Sequence, residues 1–444
     1  MTDIETFTSE VQQNIPGIQF ITHSEALRDY AIDGLLPRMV VTPENAKDAA
    51  SVITLTTQHG LTALARGGGV HMHLGAIPDP FDVLVETSKL ICVQEHEAPD
   101  LTCQVEAGIT LTALQTQLAR KGQWLPLDVA HATQATIGGI LSVNASGPKR
   151  LRYGTARDLV IGLRVIQASG EIARSGGRVV KNVAGYDLNK LYVGALGTLG
   201  IIVEANFKLQ PLPANERTLL LTFANHQDAI QTVSSILGSL LTPSAMELID
   251  AGAASDMSDF FGLHIPTRGY TLALDFEGSL ATIGRQMSEA REIARKHGAL
   301  LGDDLAGTEQ EQFWHAIREH LEGSVTCKAA ILVSQMAKYL QKLEDICQRY
   351  DLESALVAHA GNGILYIELR PGDATPRLVA AIAELRQQAQ EARGSLVVER
   401  CPVDLKRRIN VWGEPGANFR LMQRLKEQFD PKGTFVKGRF VGGL

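Results

Sequence analysis

The stretch "ARGGGVHMHLGA", residues 65–76, places three consecutive glycines beside two histidines one residue apart. A glycine triplet suits an anion, because bare backbone can turn several N–H groups toward one point. Two close histidines suit a metal only if a third ligand joins them. The flanks decide between known phosphate loops. Residues 43–60, "PENAKDAASVITLTTQHG", read as a helix with a proline start and Gly60 at its end. "LTALAR" (61–66) reads as a strand, and after the glycines come "IPDP" and a second extended run over Val83–Glu86. The loop therefore joins strand to strand. Dinucleotide and Walker loops open a helix, and neither G-x-G-x-x-G nor a Lys-Ser/Thr ending is present. An anion nest of backbone amides is what remains.

The rest of the chain sets the frame. Its 444 residues exceed one small core, so two or three domains are expected. The composition is that of a globular protein, 45% hydrophobic and 20% charged, with 41 glycines and a net charge of −7. No basic block supports nucleic-acid binding. No apolar run is long enough to span a bilayer, and the acidic start "MTDIETFTSE" shows no secretory signal. Five scattered cysteines without a C-x-x-C pair suit reduced thiols in a cytosolic protein and exclude a cysteine-ligated iron–sulfur cluster of the usual spacing.

Further along, Thr110 caps an expected helix with Leu111, Leu114 and Leu118 inward and Gly122 at its end. Residues 135–160 are small throughout and must pack closely against something flat. A hairpin is expected at Ser169-Gly170. Beyond residue 214 glycine thins, and strands alternate with amphipathic helices near 226–239 and 280–297. Thr308 with Glu311 reads as a capping box. "ALVAHAGNGILYIEL" reads as a hairpin about Gly361-Asn362-Gly363, followed by a helix and the strand "SLVVER". The tail is a helix stopped at Asp430-Pro431.

Three glycine blocks follow in order: Arg66, Gly67, Gly68 and Gly69; Thr136, Ile137, Gly138 and Gly139 with Asn144, Tyr153 and Gly154; and Gly185, Tyr186, Asp187 with Gly197-Thr198-Leu199-Gly200. Together they resemble the FAD-binding domain of the vanillyl-alcohol oxidase / para-cresol methylhydroxylase (PCMH) family. Within it the chain is most similar to the FAD-binding E-type subunits of bacterial glycolate oxidases. The resemblance implies an α+β fold: a two-subdomain PCMH-type FAD-binding domain, an antiparallel-sheet-and-helix (ferredoxin-like) cap, and a C-terminal tail returning to the FAD domain. The implied divisions are 1–34, 35–213, 214–415 and 416–444. Val70, His71, Asp158, Ile201 and Ile202 complete the implied FAD contacts. Side chains in the loop at 66–70 are expected to collide with the pyrophosphate. Some relatives tether FAD through a histidine after the second loop glycine, where this chain has Val70, so non-covalent FAD is implied. His71 and His73 read as packing residues, as neighbours of the flavin, or as metal ligands lacking a third partner.

Relatives that oxidise D-2-hydroxy acids carry H-x-G-D-G-N-x-H in the cap. Here the run is His359-Ala360-Gly361-Asn362-Gly363-Ile364-Leu365-Tyr366, which loses a carboxylate and one imidazole, so no metal is expected. His359 is read either as the catalytic base or as a hairpin residue. Lys181 is read either as facing the flavin or as a surface lysine. Arg400, with Lys406, Arg407 and Arg408, either clamps a substrate carboxylate or forms a solvated basic face. Glu247 lines the cap or the edge of the core. The resemblance implies a glycolate- or D-lactate-class 2-hydroxy acid dehydrogenase. It also implies a sister FAD subunit and an iron–sulfur subunit, and a cytoplasmic location with membrane association only through partners. Two alternatives stay open: an accessory FAD subunit without its own turnover, and a stand-alone oxidase or reductase of a sugar or lactone.

Overall fold

The computed structural model describes residues 3–177, 186–319, 323–370 and 375–444. The chain forms two compact units. One comprises residues 1–146, 155–212 and 414–444, the other 147–154 and 213–413.

The first unit holds two sheets. Strands β1 (Gln19–Ile21), β2 (Met39–Thr42), β3 (Ala63–Arg66) and β4 (Val83–Glu86) form a sheet ordered β1-β2-β4-β3, in which β2, β4 and β3 run parallel. Helices Asp3–Asn14 and Ala46–Gln58 bury Phe7, Val11, Val52 and Ile53 against it. The second helix starts at Ala46, where Asn45 accepts from the amides of Lys47 and Asp48. Strands β5 (Val93–Glu97), β6 (Thr102–Glu106), β8 (Val160–Ile166), β9 (Ile172–Gly176) and β10 (Ile201–Lys208) form an antiparallel sheet ordered β5-β6-β10-β8-β9. The short pair β7 (Gln123–Trp124) and β11 (Gln210–Pro211) stands apart. The hairpin between β8 and β9 turns through Gly170, whose φ is +86°. Helix Leu111–Ala119 is capped by Thr110 and buries Leu111, Leu114 and Leu118, as its pattern predicts. The small-residue stretch contains a helix the sequence reading did not place, Ile137–Val143. Both helices pack on this second sheet.

The tail closes back on this unit. The Ala63 amide donates to Thr434 O (2.7 Å), and the Val436 amide donates to Ala63 O (3.1 Å). Buried Lys426, on helix Phe419–Phe429, donates to Thr198 O, Asp430 Oδ2 and Phe435 O at 2.8, 2.7 and 3.1 Å.

The second unit is built on one eight-stranded antiparallel sheet. Its strands are β12 (Glu216–Phe223), β13 (Ala245–Asp250), β14 (Tyr270–Glu277), β15 (Leu301–Leu305), β16 (Thr326–Ala330), β17 (Glu353–His359), β18 (Ile364–Arg370) and β19 (Ser395–Arg400). The order β15-β12-β14-β13-β17-β18-β16-β19 resolves into two ferredoxin-like halves, each ordered 4-1-3-2, joined through the second strand of each. One face carries Leu219, Leu221, Leu248, Leu272, Leu274 and Leu356 under the long helices His226–Leu237, Leu280–Lys296, Met336–Tyr350 and Thr375–Glu391. On the other face, helices Ala251–Phe261 and Thr308–Glu319 cover Leu220, Ala245, Ile249, Ala273 and Val357. Thr308 is already helical, and the Glu311 amide bonds Gly307 O, so Gly307 takes the capping place expected of Thr308.

Candidate functional site

In the first unit, the glycine loop lines a groove. The structure brings Arg66, Gly67, Gly68, Gly69, Val70, His71, Thr136, Gly138, Gly139, Gly197, Gly200, Ile201 and Ile202 to this one groove. It adds Ala65, Met72, Thr87, Ser142, Val143, Leu196 and Arg439, which the sequence reading did not pick. Arg439 lies 367 residues from Met72 in sequence, beyond the reach of any local pattern; its Nη2 donates to Met72 O and Leu74 O at 3.0 and 2.9 Å. Burial brings its guanidinium down to about 10, against the pull of Asp33.

Local packing alone already requires glycine at two of these positions. A β-carbon on Gly67 would lie 2.1 Å from Thr136 Oγ1, and one on Gly68 would lie 1.8 Å from Gln134 O. Gly69 adopts φ +82°. The loop is pressed onto segment 134–136, and its amides are turned elsewhere. Among the described residues, the amides of Gly67, Gly68, Gly69 and Val70 donate to no protein acceptor. Helix Ile137–Val143 begins beside the loop, yet its first amides are occupied. Those of Ile137 and Gly138 donate to Ile109 O and Ala107 O, and that of Gly139 to Thr136 Oγ1. The loop amides, rather than the helix terminus, are thus the ones that could be offered to an anion at this groove. Across it, Gly197 has φ +75° and a β-carbon there would meet nothing within 4 Å. Val70, Val143, Leu196, Ile201 and Ile202 supply apolar wall. Arg66 lies over the Tyr30 ring at 4.6 Å. Amides, two arginines, apolar side chains and bare backbone in one groove fit a diphosphate joined to flat rings.

Other expected contacts lie elsewhere. Ile137 is fully buried in the core. Asn144 ends its helix in the left-handed region and accepts from the Arg157 amide at 3.2 Å. Asp158 accepts from the amide and hydroxyl of Thr155, and these bonds hold its carboxyl below the usual range although burial opposes them. Tyr186 is exposed, and Asp187 accepts from the Asn189 amide. Lys181 and Gly185 lie outside the described residues. Tyr153 and Gly154 belong to the second unit, where the Tyr153 hydroxyl donates to Glu277 and Gly154 ends helix Arg150–Tyr153 with φ +80°.

That second unit carries a line of ionisable groups on the sheet face away from the four long helices. Lys149 is buried among three carboxylates: Glu216 Oε1 at 2.9 Å, Glu277 Oε1 at 2.6 Å and Asp275 Oδ2 at 3.5 Å. These three are the one carboxylate trio among the described residues spaced for a cation, and the ammonium stands among them. Burial disfavours the Lys149 charge, but the carboxylates outweigh it and raise its pKa. Burial raises Asp275 to about 6, although it accepts from Ser244, Thr218 and Gln310.

Farther along the same face, His359 Nδ1 meets Glu247 Oε1 at 2.7 Å. Both are buried, at 5% and 0% exposure, and they oppose each other directly across β17 and β13. The His359 ring packs edge-on to Tyr366, at 5.2 Å. Lys328 lies 5.2 Å from the Tyr366 ring centre and 3.0 Å from Glu399. A bulge near Thr326 sets Arg400 opposite Thr326 on β19, with β18 and β16 between it and β17. Lys406 is buried, whereas Arg407 is exposed and pairs with Asp404, and Arg408 is exposed.

Comparison with known proteins agrees with this architecture. The FAD binding domain family matches residues 37–176, and the family of FAD linked oxidases, C-terminal domain, matches residues 212–439. The chain is 30% identical to the glycolate oxidase subunit GlcD of Bacillus subtilis, over 91% of this chain and 89% of that protein. It is 26% identical to a D-lactate dehydrogenase of Archaeoglobus fulgidus (91% and 92% covered). It is 25% identical to a D-2-hydroxyglutarate dehydrogenase of Stutzerimonas stutzeri (96% of each). Substrate-bound p-cresol methylhydroxylase shares the fold with a TM-score of 0.76 at 16% identity, covering 97% of this chain and 95% of that one. No described helix is long and apolar enough to cross a membrane. With both halves matched in order, the chain belongs to the FAD-linked oxidases and is an FAD-dependent oxidoreductase of their glycolate oxidase and D-lactate dehydrogenase family.

Proposed function

We propose that this chain is the E-type FAD-binding subunit of a 2-hydroxy acid dehydrogenase that oxidises a glycolate- or D-lactate-class substrate. The observation that supports the reading is a glycine-loop groove in the first unit, in a chain that also carries a buried Glu247–His359 contact and whose relatives are named for glycolate, D-lactate and D-2-hydroxyglutarate. The groove at Arg66–His71, Thr136–Gly139 and Gly197–Ile202 holds FAD non-covalently. Its loop amides and Arg439 would hold the pyrophosphate, and its apolar wall would hold the rings. FAD, when bound, would supply the two-electron acceptor for the hydride from C2 of the hydroxy acid. His359 accepts the hydroxyl proton as the 2-oxo acid forms. Arg400 holds the substrate carboxylate. Electrons leave to partners, a sister FAD subunit and an iron–sulfur subunit, because this chain has no cysteine set for a cluster.

A second reading is favoured by Tyr366, which stands where hydroxy-acid-oxidising relatives carry a second histidine and is engaged by Lys328. In that reading the chain binds FAD as an accessory subunit and a sister subunit turns over substrate. Stopped-flow mixing of the FAD-loaded chain with glycolate or D-lactate separates the two. Bleaching of the flavin band by the chain alone supports turnover here, and bleaching only after the partner is added supports the accessory role.

A further inference from the structure

The Glu247–His359 pair is built into the sheet. Glu247 is directly opposite His359 in the β13–β17 register, so the contact depends on strand pairing and not on a loop. Glu247 is completely buried, and an ionised carboxylate can only accept hydrogen bonds. At 2.7 Å, the Nδ1 position of His359 supplies the donor. A neutral imidazole that donates from Nδ1 presents Nε2 as its acceptor. Packing of the ring edge-on to Tyr366, with an interplanar angle of 73°, limits rotation about the side chain.

We propose that Glu247 is the positioning residue of the oxidation: its carboxylate selects the Nδ1–H tautomer of His359, and it stabilises the imidazolium formed when Nε2 takes the substrate hydroxyl proton. This rests on the reading of His359 as the proton acceptor. Several charged groups share this side of the sheet, among them Arg370 of β18, which pairs with Glu368 and Asp256. Lys328 of β16 is paired with Glu399 of β19, and Arg150 of helix Arg150–Tyr153 acts on the Tyr366 hydroxyl of β18. Lys328 and Arg150 thus lie at Glu399 and Tyr366, and the Glu247 carboxyl is in contact with the imidazole. The proton balance is complete: the hydride leaves C2 for the flavin, the hydroxyl proton goes to Nε2, and His359 returns it to solvent between turnovers.

Two measurements on the FAD-loaded protein, with any copurifying subunits retained, test this. In the first, ¹⁵N NMR of the histidine rings above neutral pH is predicted to show His359 protonated at Nδ1 in the native chain. In Glu247→Gln the ring becomes a mixture of tautomers, because an amide can either donate or accept. In the second, the rate of flavin reduction by the hydroxy acid falls tenfold or more in Glu247→Gln. KM changes little, and the acid limb of the pH profile moves to lower pH as the imidazolium loses its counter-ion. Glu247→Asp restores part of the rate if the carboxylate itself matters. A Glu247→Gln protein with native flavin content, native rate and an unchanged pH profile overturns the role of Glu247 while leaving the functional reading intact. A native protein whose flavin no 2-hydroxy acid reduces, even with partners present, overturns the functional reading and this role together.

Discussion

Gly67 and Thr136 meet so closely that a β-carbon on the glycine would lie 2.1 Å from the threonine hydroxyl oxygen. Gly68 stands in the same relation to the carbonyl of Gln134, at 1.8 Å. The loop can aim its four amides at an anion because it has no side chains to hold it off segment 134–136. Gly67→Ala and Gly68→Ala are therefore expected to weaken FAD binding at least tenfold, with secondary structure retained. Gly197→Ala is expected to cost less, since its β-carbon meets open space and only the positive φ is strained, by about 1 kcal/mol. Flavin fluorescence titration beside circular dichroism checks all three.

Arg439 is expected to hold the turn at residues 72–74 through its two carbonyl contacts. Arg439→Met removes both bonds and a cation from the groove. FAD affinity should fall by about tenfold or more, and resistance to proteolysis between residues 70 and 76 should fall with it. Limited proteolysis and a binding titration on the same sample read the two effects together.

How much of this was legible in the sequence depends on how local the cause is. The strand-to-strand setting of the glycine loop was readable because Gly60, Pro78 and Pro80 punctuate it and β3 and β4 are short apolar runs. The Gly361–Gly363 hairpin was readable for the same reason. Helix Ile137–Val143 was not, because seven residues containing two glycines give neither a helical period nor good propensity; Thr136 as cap was the one local signal. Arg439 and Lys426 act through carbonyls hundreds of residues away in sequence. The placement of residues 147–154 in the second unit is set by Lys149 meeting three carboxylates on β12 and β14, which as isolated strand residues read like an ordinary solvated edge.

That same cluster yields a stability prediction. Lys149→Met leaves Glu216, Asp275 and Glu277 close together without their ammonium. Removing one partner of a buried ion pair typically costs about 3–5 kcal/mol. Adding Asp275→Asn to Lys149→Met should recover part of the loss. Urea unfolding of the single and double variants measures both steps.

Asp275 also predicts a pH dependence. Its folded-state pKa is raised to about 6 by burial, above the ordinary carboxylate value of 3.8. The folded chain thus holds a proton that the unfolded chain releases. The stability this group contributes is fully present below about 4 and is lost as pH rises through about 6. Thermal unfolding at pH 5 and at pH 7.5 should show a smaller difference in Asp275→Asn than in the native chain; an equal difference in both would assign the dependence to other groups.

The central claim is that side-chain-free turns of the first unit converge to grip FAD without a covalent tether. The most direct measurement is the visible spectrum of freshly purified native protein, taken before and after FAD titration and again after acid precipitation. The account predicts a yellow protein that saturates at one FAD per chain and releases all its colour into the acid supernatant, because Val70 offers no attachment point. Folded protein that is colourless and takes up no FAD would contradict it, and colour that stays with the precipitate would contradict the absence of a tether.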